Sequence, residues 1–371
     1  MKVRVLHIIA SLETGGAETA LARICQATGS LGLDHHVLVM DSTGLLGADL
    51  QSAGIPVLAP RVHPLDMAHL LRLCTDWIPH VVQGWMYHGN LAASVVRTVL
   101  FPRAYLAWNI RCGLDTPGQY RPSTRALIQL LARCSGTPDL ILYNAHSARA
   151  GHEAVGYVGR RGEVIPNGFD LEAFRPDPAS RQALRSALGL REGASLVGLV
   201  ARFHPEKNPQ LFLEALSRLP PEVHGLMAGS CMVPENPALV ACIQAFGLSA
   251  RIHLLGERRD MPDVMAGLDL AVSASWNEGF SNALGEAQAC GVPCVATAVG
   301  DSPKMIGGLG QLVPAGDAPA MAEAMSAILH LPAAEREALG LRCRQRMAED
   351  YSLPAVARRY SKAYHRLADR L

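Results

Sequence analysis

Two glutamates with seven residues between them mark the segment of the chain best suited to chemistry. Glu278 precedes a turn of small residues, and Glu286 lies one turn inside the helix predicted to begin near Asn282. Unpaired peptide N–H groups at a helix start bind anions, and carboxylates accept hydrogen bonds from hydroxyls. The segment therefore suits a ligand with both phosphate and hydroxyl groups. The alternative is a structural Glu286 that forms a salt bridge on its helix.

Arg202 and Lys207 flank a turn that directly follows another apolar run. A guanidinium fork and a compact ammonium at the carboxyl end of a strand can share a diphosphate. Lysine is rare in this chain, which otherwise uses arginine, so a lysine at this turn favours a role for the point charge. The alternative is a pair of solvated loop residues.

Gly15 and Gly16 follow the first apolar run and open a predicted helix. Glycines at such a turn allow the backbone to approach a ligand, and the helix start offers peptide N–H groups to an anion. The dinucleotide fingerprint Gly-x-Gly-x-x-Gly does not follow this run. An ordinary strand-to-helix turn is the alternative.

The elements that position these segments can be predicted from the pattern of apolar residues. Apolar runs of strand length alternate with Ala/Leu/Arg-rich stretches, and a second series of this alternation begins near residue 166. This alternation predicts parallel sheets covered by helices on both faces. We expect an α/β fold with two doubly wound domains, residues 1–166 and 167–352, followed by a helix over 353–371. Open sheets bind ligands at the carboxyl ends of their strands, so we expect the ligand in a cleft between the domains. The predicted strands are Val3–Ile9, His36–Met40, Val57–Ala59, His80–Gln83, Tyr105–Asn109, Leu140–Tyr143, Leu196–Ala201, Val223–Ala228, Ile252–Leu255, Leu270–Ser273 and Pro293–Ala296. A further strand is predicted in Gly162–Gly168, which ends in turn residues.

Composition excludes several classes of protein. The 371 residues include 34 Lys and Arg against 33 Asp and Glu, a balance that argues against nucleic acid as a partner. No apolar stretch reaches membrane-spanning length, and the first apolar run is too short for a secretory signal. The nine scattered cysteines include no Cys-x-x-Cys pair, which predicts buried or half-buried thiols in the cytoplasm rather than a zinc or redox site.

Taken together, the motifs resemble those of the GT-B retaining glycosyltransferases of family 4. The resemblance implies two Rossmann-like domains that face each other across a cleft, with a C-terminal helix crossing back to the first domain. It implies an enzyme that transfers a hexosyl-type sugar from a nucleoside diphosphate with retention of configuration. The segments that carry the resemblance are Gly15-Gly16, Pro166-Asn167-Gly168-Phe169-Asp170, Arg202 with Lys207, and Glu278 with Glu286 before Ala287-Gln288-Ala289-Cys290-Gly291-Val292-Pro293.

The resemblance also implies roles for individual residues. Arg202 and Lys207 would neutralise the donor diphosphate, Glu278 would lie near the donor sugar, and Glu286 would accept the ribose hydroxyls. The remaining implied donor contacts are made by the first-domain loop and by the backbone after Glu278: Gly15, Gly16, Phe280, Ser281, Asn282, Ala283 and Leu284.

One position departs from the family pattern. Many members carry a histidine after a strand of the first domain, where this chain has Arg111, and His88 is the other candidate. Either residue is a candidate for catalysis or for a packing role. No aspartate pair suggests a divalent-metal site, so we expect no metal and no cofactor, with Arg202 and Lys207 in the place of the metal.

The donor and acceptor follow only coarsely from the sequence. The family favours UDP over GDP as the donor nucleotide, and the expected acceptor is a glycan or a lipid-linked glycan. Residues 1–166 carry 14 basic and 11 acidic residues, which is compatible with peripheral association with a membrane. The alternatives are a sugar-nucleotide 2-epimerase of the same architecture and an inactive protein that binds nucleotide sugars.

Overall fold

A computed structural model describes residues 2–13, 15–59, 75–114 and 120–369. The chain forms two compact units, Met1–Gly168 with Leu353–Leu371, and Phe169–Ser352. Each unit contains one parallel sheet with helices packed against it, so the predicted α/β fold with two doubly wound sheets is confirmed.

The first unit is built on a seven-stranded sheet in the order β3-β2-β1-β4-β5-β6-β7. Its strands read as nearly continuous apolar runs because helices cover both faces of the sheet. The strands are β1 (Val3–Ile9), β2 (Leu33–Val39), β3 (Val57–Leu58), β4 (Val81–Trp85), β5 (Tyr105–Ile110), β6 (Leu140–Tyr143) and β7 (Gly162–Val164). The described helices of this unit are α1 (Gly16–Thr28), α2 (Gly44–Ser52), α3 (Met86–Leu100), α4 (Pro122–Cys134), α5 (His146–Ala154) and, after the second unit, α14 (Leu353–Ala368).

The second unit is built on a six-stranded sheet in the order β10-β9-β8-β11-β12-β13. Its strands are β8 (Ser195–Val200), β9 (Val223–Ala228), β10 (Ile252–Gly256), β11 (Leu270–Ser273), β12 (Cys294–Thr297) and β13 (Gly310–Val313). Its helices are α6 (Pro178–Ala187), α7 (Pro209–Ser217), α8 (Pro237–Ala245), α9 (Met261–Ala266), α10 (Asn282–Ala289), α11 (Ser302–Ile306), α12 (Ala318–Leu329) and α13 (Ala333–Asp350). Several of these helices start at a side chain that accepts a hydrogen bond from a first-turn N–H, which fixes where they begin. These capping residues are Asp177, Asn208, Asn236, Ser281 and Asp317.

The strand order reverses once in each sheet, between β1 and β4 and between β8 and β11. Crevices at such reversal points, at the carboxyl ends of the strands, are where doubly wound sheets bind ligands. In the second unit, Arg202 and Lys207 follow β8 and Glu278 follows β11. The sheet thus places three of the predicted site residues at its reversal point.

Two differences from the predicted strands have a clear physical reason. β2 begins at Leu33, three residues before the predicted start, because the polar His35 is buried and hydrogen-bonded inside the sheet. β13 was not predicted, since it is a short edge strand in which Gln311 and Leu312 are exposed. The expectation that all cysteines are buried or half-buried is wrong for Cys134, which is on the outside of α4, and for Cys231.

Candidate functional site

A sharp turn holds Lys207 at the carboxyl end of β8. A single 3-10 turn, Pro205–Lys207, follows the strand, and Asn208 then takes a left-handed conformation with φ of 46°. Its side-chain oxygen accepts a hydrogen bond from the Leu211 N–H at 3.3 Å, which starts α7. The chain therefore reverses within four residues, and Lys207 stays at the edge of the sheet.

Lys207 and Glu278 form an ion pair across the reversal point. The Lys207 Nζ lies 2.5 Å from the Glu278 Oε2, and the Ser275 hydroxyl donates to the same oxygen at 3.1 Å. The two charged side chains are only 23% and 11% exposed. Charges so far removed from water interact more strongly with each other, and with a third charge brought beside them, than surface charges do.

Arg202 is held by a glutamate that the sequence analysis did not single out. The Glu206 Oε2 lies 3.7 Å from the Arg202 guanidinium and 3.5 Å from the His204 Nδ1. The Glu206 carbonyl accepts a hydrogen bond from the Trp276 N–H at 2.8 Å, which ties the turn after β8 to the loop after β11. Arg202 itself remains 61% exposed. The spacing of four residues between Arg202 and Glu206 is the feature of the sequence that could have predicted this ion pair.

The segment after Glu278 enters α10 through a packed turn. Phe280 is buried and its ring stacks on Phe169 at a centroid distance of 6.1 Å. The Ser281 hydroxyl caps α10 by accepting from the Leu284 N–H at 3.4 Å. Because the Phe280 side chain packs in the core and the Ser281 side chain caps the helix, mainly the backbone groups of this segment can contact a ligand. Asn282 and Ala283, at the start of α10, are half-buried.

Gly300 supports Glu278 from the turn after β12. It has a φ of +55°, and a Cβ atom there would lie 1.5 Å from the Glu278 carbonyl oxygen. The neighbouring Asp301 N–H donates to the Gly279 carbonyl at 3.2 Å. Only glycine permits this close approach of two chain segments. Nothing in the sequence pattern distinguished Gly300 from other loop glycines.

The Phe169 of the Pro166–Asp170 segment has a structural role in the second unit. A Cβ atom on Gly285 would lie 2.1 Å from the Phe169 ring, so the ring fits against the bare backbone of α10. Glu286, the next residue, is half-buried on this helix. Its charge, after burial, contributes to raising the pKa of the Cys290 thiol to about 12. The ring of Phe169 therefore fixes the position of the helix that carries Glu286.

The glycines predicted to contact the donor in the first unit open α1 after β1. Gly15 precedes the helix, and a Cβ atom there would lie 2.2 Å from the Glu18 carboxylate. A carboxylate beside the first turn interacts favourably with the helix N-terminus. The Glu18 carboxylate thus lies beside Gly15, at the helix start that the sequence predicts to face an anion.

The two candidates for a catalytic role in the first unit differ in their surroundings. His88 is exposed in the first turn of α3. Arg111 is half-buried, and its guanidinium donates to the Tyr360 hydroxyl at 3.0 Å and to the Asn167 side chain. It also lies over the Trp85 ring at 5.4 Å. Arg111, which directly follows β5, therefore links this strand to Asn167 and to Tyr360 on α14.

Three buried side chains that could together hold a metal lie elsewhere in the first unit: His7, Cys25 and His35. The Trp85 indole donates to the His7 Nδ1 at 3.0 Å, and the His7 Nε2 lies 3.0 Å from the His35 Nδ1. A metal on the His7 Nε2 would require a proton on Nδ1, directly against the indole N–H. The donor set therefore fits a chain of neutral hydrogen-bonded histidines and does not fit a metal ion.

Comparison with known proteins places this geometry in context. Residues 194–330, within the second unit, match the family model described as Glycosyl transferases group 1. A D-inositol 3-phosphate glycosyltransferase of Mycobacterium marinum is 36% identical over 198 residues, which are 51% of this chain and 42% of that protein. The corresponding enzyme of Mycobacterium tuberculosis strain F11 is 34% identical over 197 residues, 40% of its length. The matched stretch thus spans less than half of these curated relatives.

Solved structures match over nearly the whole chain. The Anabaena protein Alr3699/HepE, crystallised in complex with UDP, has a TM-score of 0.82 at 21% identity, with 98% of this chain and 99% of that chain covered. A sucrose-phosphate synthase from Thermosynechococcus elongatus has a TM-score of 0.81 at 18% identity, with both chains fully covered. Within the part of the chain that the structure describes, no helix is both long and apolar enough to cross a membrane.

Proposed function

We propose that this chain, which has the GT-B fold and a Glycosyl transferases group 1 region in its second unit, is a retaining glycosyltransferase that uses a nucleoside diphosphate sugar. The observation that carries the proposal is the Lys207–Glu278 ion pair at the reversal point of the second sheet. It sets a cation and a carboxylate side by side where such a sheet binds a ligand. A phosphorylated sugar needs both groups.

The donor diphosphate is assigned to Lys207 and Arg202. The Lys207 ammonium is three-quarters buried, and the Arg202 guanidinium is largely exposed, with Glu206 as its tether. When the bond between the anomeric carbon and the diphosphate breaks, negative charge develops on the departing oxygen. Fixed cations stabilise that charge most in a site that excludes water. These two cations take the part that a metal plays in other enzymes, and we propose that the reaction requires neither metal nor cofactor.

The donor sugar is assigned to Glu278 and to the backbone that follows it. As Lys207 turns to the diphosphate, the Glu278 carboxylate is released to accept a sugar hydroxyl, while Ser275 keeps it in place. Glu286, on α10, is assigned to the ribose hydroxyls. The acceptor hydroxyl attacks the anomeric carbon on the face from which the diphosphate departs and passes its proton to the departing phosphate oxygen, so the configuration at the anomeric carbon is retained.

We favour UDP over GDP as the donor nucleotide. Structures with this fold, at 20–21% identity, are described as complexes with UDP and with UDP-glucose. The proposed acceptor is a glycan or lipid-linked glycan. The relatives that match part of the chain are named for transfer to an inositol phosphate, which is also a polyhydroxylated acceptor.

A sugar-nucleotide 2-epimerase and an inactive binding protein remain as alternatives, and they differ in their products. An epimerase converts the nucleotide sugar without an acceptor, and a binding protein leaves it unchanged. The match of residues 194–330 to a transferase family favours transfer.

Thermal-shift titration of the purified chain with UDP, GDP, ADP and NAD tests the proposal. A ligand at a hundred times its Kd stabilises a protein by about 2.7 kcal/mol, which raises the Tm by a few degrees for a chain of this size. We expect a shift with UDP, a smaller one with GDP and none with NAD. A shift with NAD alone, or the absence of a shift with every nucleoside diphosphate, contradicts the proposal. Incubation with UDP-sugars and NMR of the product then separates transfer with retention from epimerisation.

A further inference from the structure

We infer that the Trp276 indole, in the loop that follows β11, is a stacking platform for a sugar ring of the substrate. The occupant is a pyranose that presents a face of C–H groups, which both the donor sugar and a sugar of the acceptor supply. The inference rests on the proposed function and deepens it, because it adds a residue that recognises the sugar itself. It is carried by the exposure of the indole, by the way its loop is fixed and by its place on the sheet.

Trp276 differs from the other aromatic residues in its exposure to water. It is 52% exposed, whereas every other Phe, Tyr and Trp that the structure describes is buried or half-buried. Leaving a ring of this size in water costs hydrophobic free energy, which burial against a ligand recovers. Tryptophan is enriched at binding surfaces because it offers a large, rigid contact area at a low cost in conformational entropy. The exposure of this ring therefore points to a ligand.

The loop that carries Trp276 is held in place on both sides of it. Ser275 and Asn277 are only 2% and 8% exposed. The Trp276 N–H donates to the Glu206 carbonyl at 2.8 Å, and the Thr297 hydroxyl donates to the Ser275 carbonyl at 2.7 Å. The indole is therefore exposed by a fixed backbone, so the loop loses little entropy when a ligand binds to the ring.

The outer end of the indole rests on Gly316, in the turn after β13. A Cβ atom on Gly316 would overlap the six-membered ring, at 2.9 Å from Cζ3 and closer still to Cη2, and this glycine has a φ of +81°. No aromatic ring and no cation stacks on the indole among the residues that the structure describes. The ring is thus supported at its tip, and the rest of its surface is available for stacking.

The indole extends a row of groups along the carboxyl edge of the second sheet. Lys207 follows β8, Glu278 follows β11, and Gly316, which holds the tip of the indole, follows β13. The order of these strands in the sheet is β8-β11-β12-β13. Trp276 and Glu278 are two residues apart, so their Cα atoms are separated by at most about 7 Å. A sugar with a hydroxyl on Glu278 therefore lies beside the indole.

A pyranose matches this row because its polar and apolar parts are separated. Its hydroxyls project mainly from the rim of the ring, and its C–H groups lie on the two faces. The face of an indole is the negative side of its quadrupole and attracts C–H groups, whereas Lys207 and Glu278 suit phosphate and hydroxyl groups. The nucleobase is also a flat ring, but the diphosphate assigned to Lys207 separates it from the sugar assigned to Glu278. The ring beside the indole is therefore a sugar.

Acrylamide quenching of tryptophan fluorescence tests the inference directly. The other three tryptophans are buried or half-buried, so the difference between the wild type and Trp276→Phe isolates the signal of Trp276. The probes are UDP, UDP-glucose, and UDP together with methyl glucoside, methyl galactoside or methyl mannoside. GDP and GDP-mannose take the place of UDP and UDP-glucose if the thermal shifts select GDP.

The sugar-bearing probes should shield Trp276 from acrylamide, and the free diphosphate should not. Shielding by the nucleotide sugar assigns the platform to the donor sugar. Shielding only by a methyl glycoside together with the diphosphate assigns it to a sugar of the acceptor. Shielding by the diphosphate alone, or by none of the probes, overturns the inference.

Substitutions of Trp276 measure the contribution of stacking. Trp276→Ala should weaken the binding of the shielding sugar by up to about tenfold, the range of an aromatic stack, and leave the affinity for UDP unchanged. Trp276→Tyr should keep most of the affinity, while Trp276→Leu, which is apolar without a π face, should lose as much as alanine. Leu341→Ala, at a residue 57% exposed on α13 of the same unit, is the matched control.

The same measurements separate this inference from the proposed function. If neither UDP nor GDP binds to the wild type, the proposed function fails. If UDP binds equally to the wild type and to Trp276→Ala, and the sugar adds the same affinity to both, only this inference is overturned. Gly316→Ala, which displaces the tip of the indole, should weaken the sugar as Trp276→Ala does, without loss of UDP binding.

Discussion

Lys207 has an anionic partner within the protein itself, and this shapes what the site can do. Its ammonium contacts the Glu278 carboxylate, which also accepts a hydrogen bond from Ser275. In the proposed reaction, the donor diphosphate would replace the Glu278 carboxylate as the anionic partner of Lys207, and the freed carboxylate would then accept a sugar hydroxyl.

Removal of Lys207 should affect the reaction far more than the fold. We expect Lys207→Ala to lower kcat/KM for transfer by roughly 100- to 1000-fold, the usual loss when one stabilising charge is removed from a transition state. Steady-state assays with a UDP-sugar measure this, and circular dichroism checks the fold. Lys362→Ala, on the exposed side of α14, is the matched control. Near-normal turnover of Lys207→Ala would show that the diphosphate is bound elsewhere.

We propose that Glu286 acts in donor binding rather than in the chemical step. Glu286→Gln keeps the shape of the side chain and removes its charge. We expect the KM for the donor to rise several-fold with kcat little changed, because a ribose contact is equally strong in the ground and transition states. Initial rates at varied donor concentration measure both constants. A lower kcat at an unchanged KM contradicts this assignment.

At the scale of elements, the site depends on three turns at one edge of the second sheet. The turn after β8 carries Lys207, the turn after β11 carries Glu278, and the turn after β12 brings Gly300 against the Glu278 carbonyl. The order of strands makes these turns neighbours although they are far apart in sequence. A different local feature fixes each turn. Asn208 has a left-handed conformation after Lys207, the Ser275 hydroxyl donates to the Glu278 carboxylate, and Gly300 lies against the Glu278 carbonyl.

Gly300→Ala should disturb the site in a way that a matched glycine does not. Gly300 and Gly308 both have positive φ, at 55° and 76°, but only a Cβ on Gly300 meets another atom. We expect Gly308→Ala to lower the free energy of unfolding by about 1 kcal/mol, the cost of a left-handed alanine. Gly300→Ala should cost about 3 kcal/mol or more and lower transfer as well. Urea unfolding and activity assays compare them, and equal losses of stability would contradict the role of the contact.

Much of this arrangement was predictable from the sequence. The residues that were not predicted are those whose roles depend on contacts between distant segments of the chain. Arg202, Lys207 and Glu278 were identified because charged residues that directly follow buried strands are visible in the sequence. Glu206 and Gly300 were not, since their roles depend on which segments meet across the sheet. The beginning of β2 was also missed, because a buried histidine interrupts the apolar pattern of the strand.

At the scale of the molecule, the histidines with the largest pKa shifts lie in the first unit. Burial lowers the pKa of His7 well below its usual range and lowers the pKa of His35 and His152 to about 4. All three residues lie in the first unit. His7 and His35 share a hydrogen-bonded chain that ends at Thr28, so protonation must break it.

The first unit should therefore lose stability as the pH falls. The unfolded chain binds a proton on each histidine below about pH 6.5, while the folded unit does not until about pH 4, so the free energy of unfolding decreases between those values. Each histidine contributes about 1.4 kcal/mol per pH unit in that range. Urea unfolding of a Trp276→Phe variant, followed by tryptophan fluorescence, reports this unit, because the buried Trp85 and Trp108 lie in it and Trp276 lies in the other. A midpoint independent of pH between 7 and about 5 would contradict the prediction.

The central claim is that the edge of the second sheet around Lys207 and Glu278 binds a nucleoside diphosphate. The most direct test is calorimetric titration of UDP into the wild-type chain, Lys207→Ala and Lys362→Ala. We predict binding by the wild type, binding at least about tenfold weaker by Lys207→Ala, equivalent to 1.4 kcal/mol, and wild-type binding by Lys362→Ala. Equal affinity of the wild type and Lys207→Ala, or no binding of UDP or GDP to the wild type, would contradict the account.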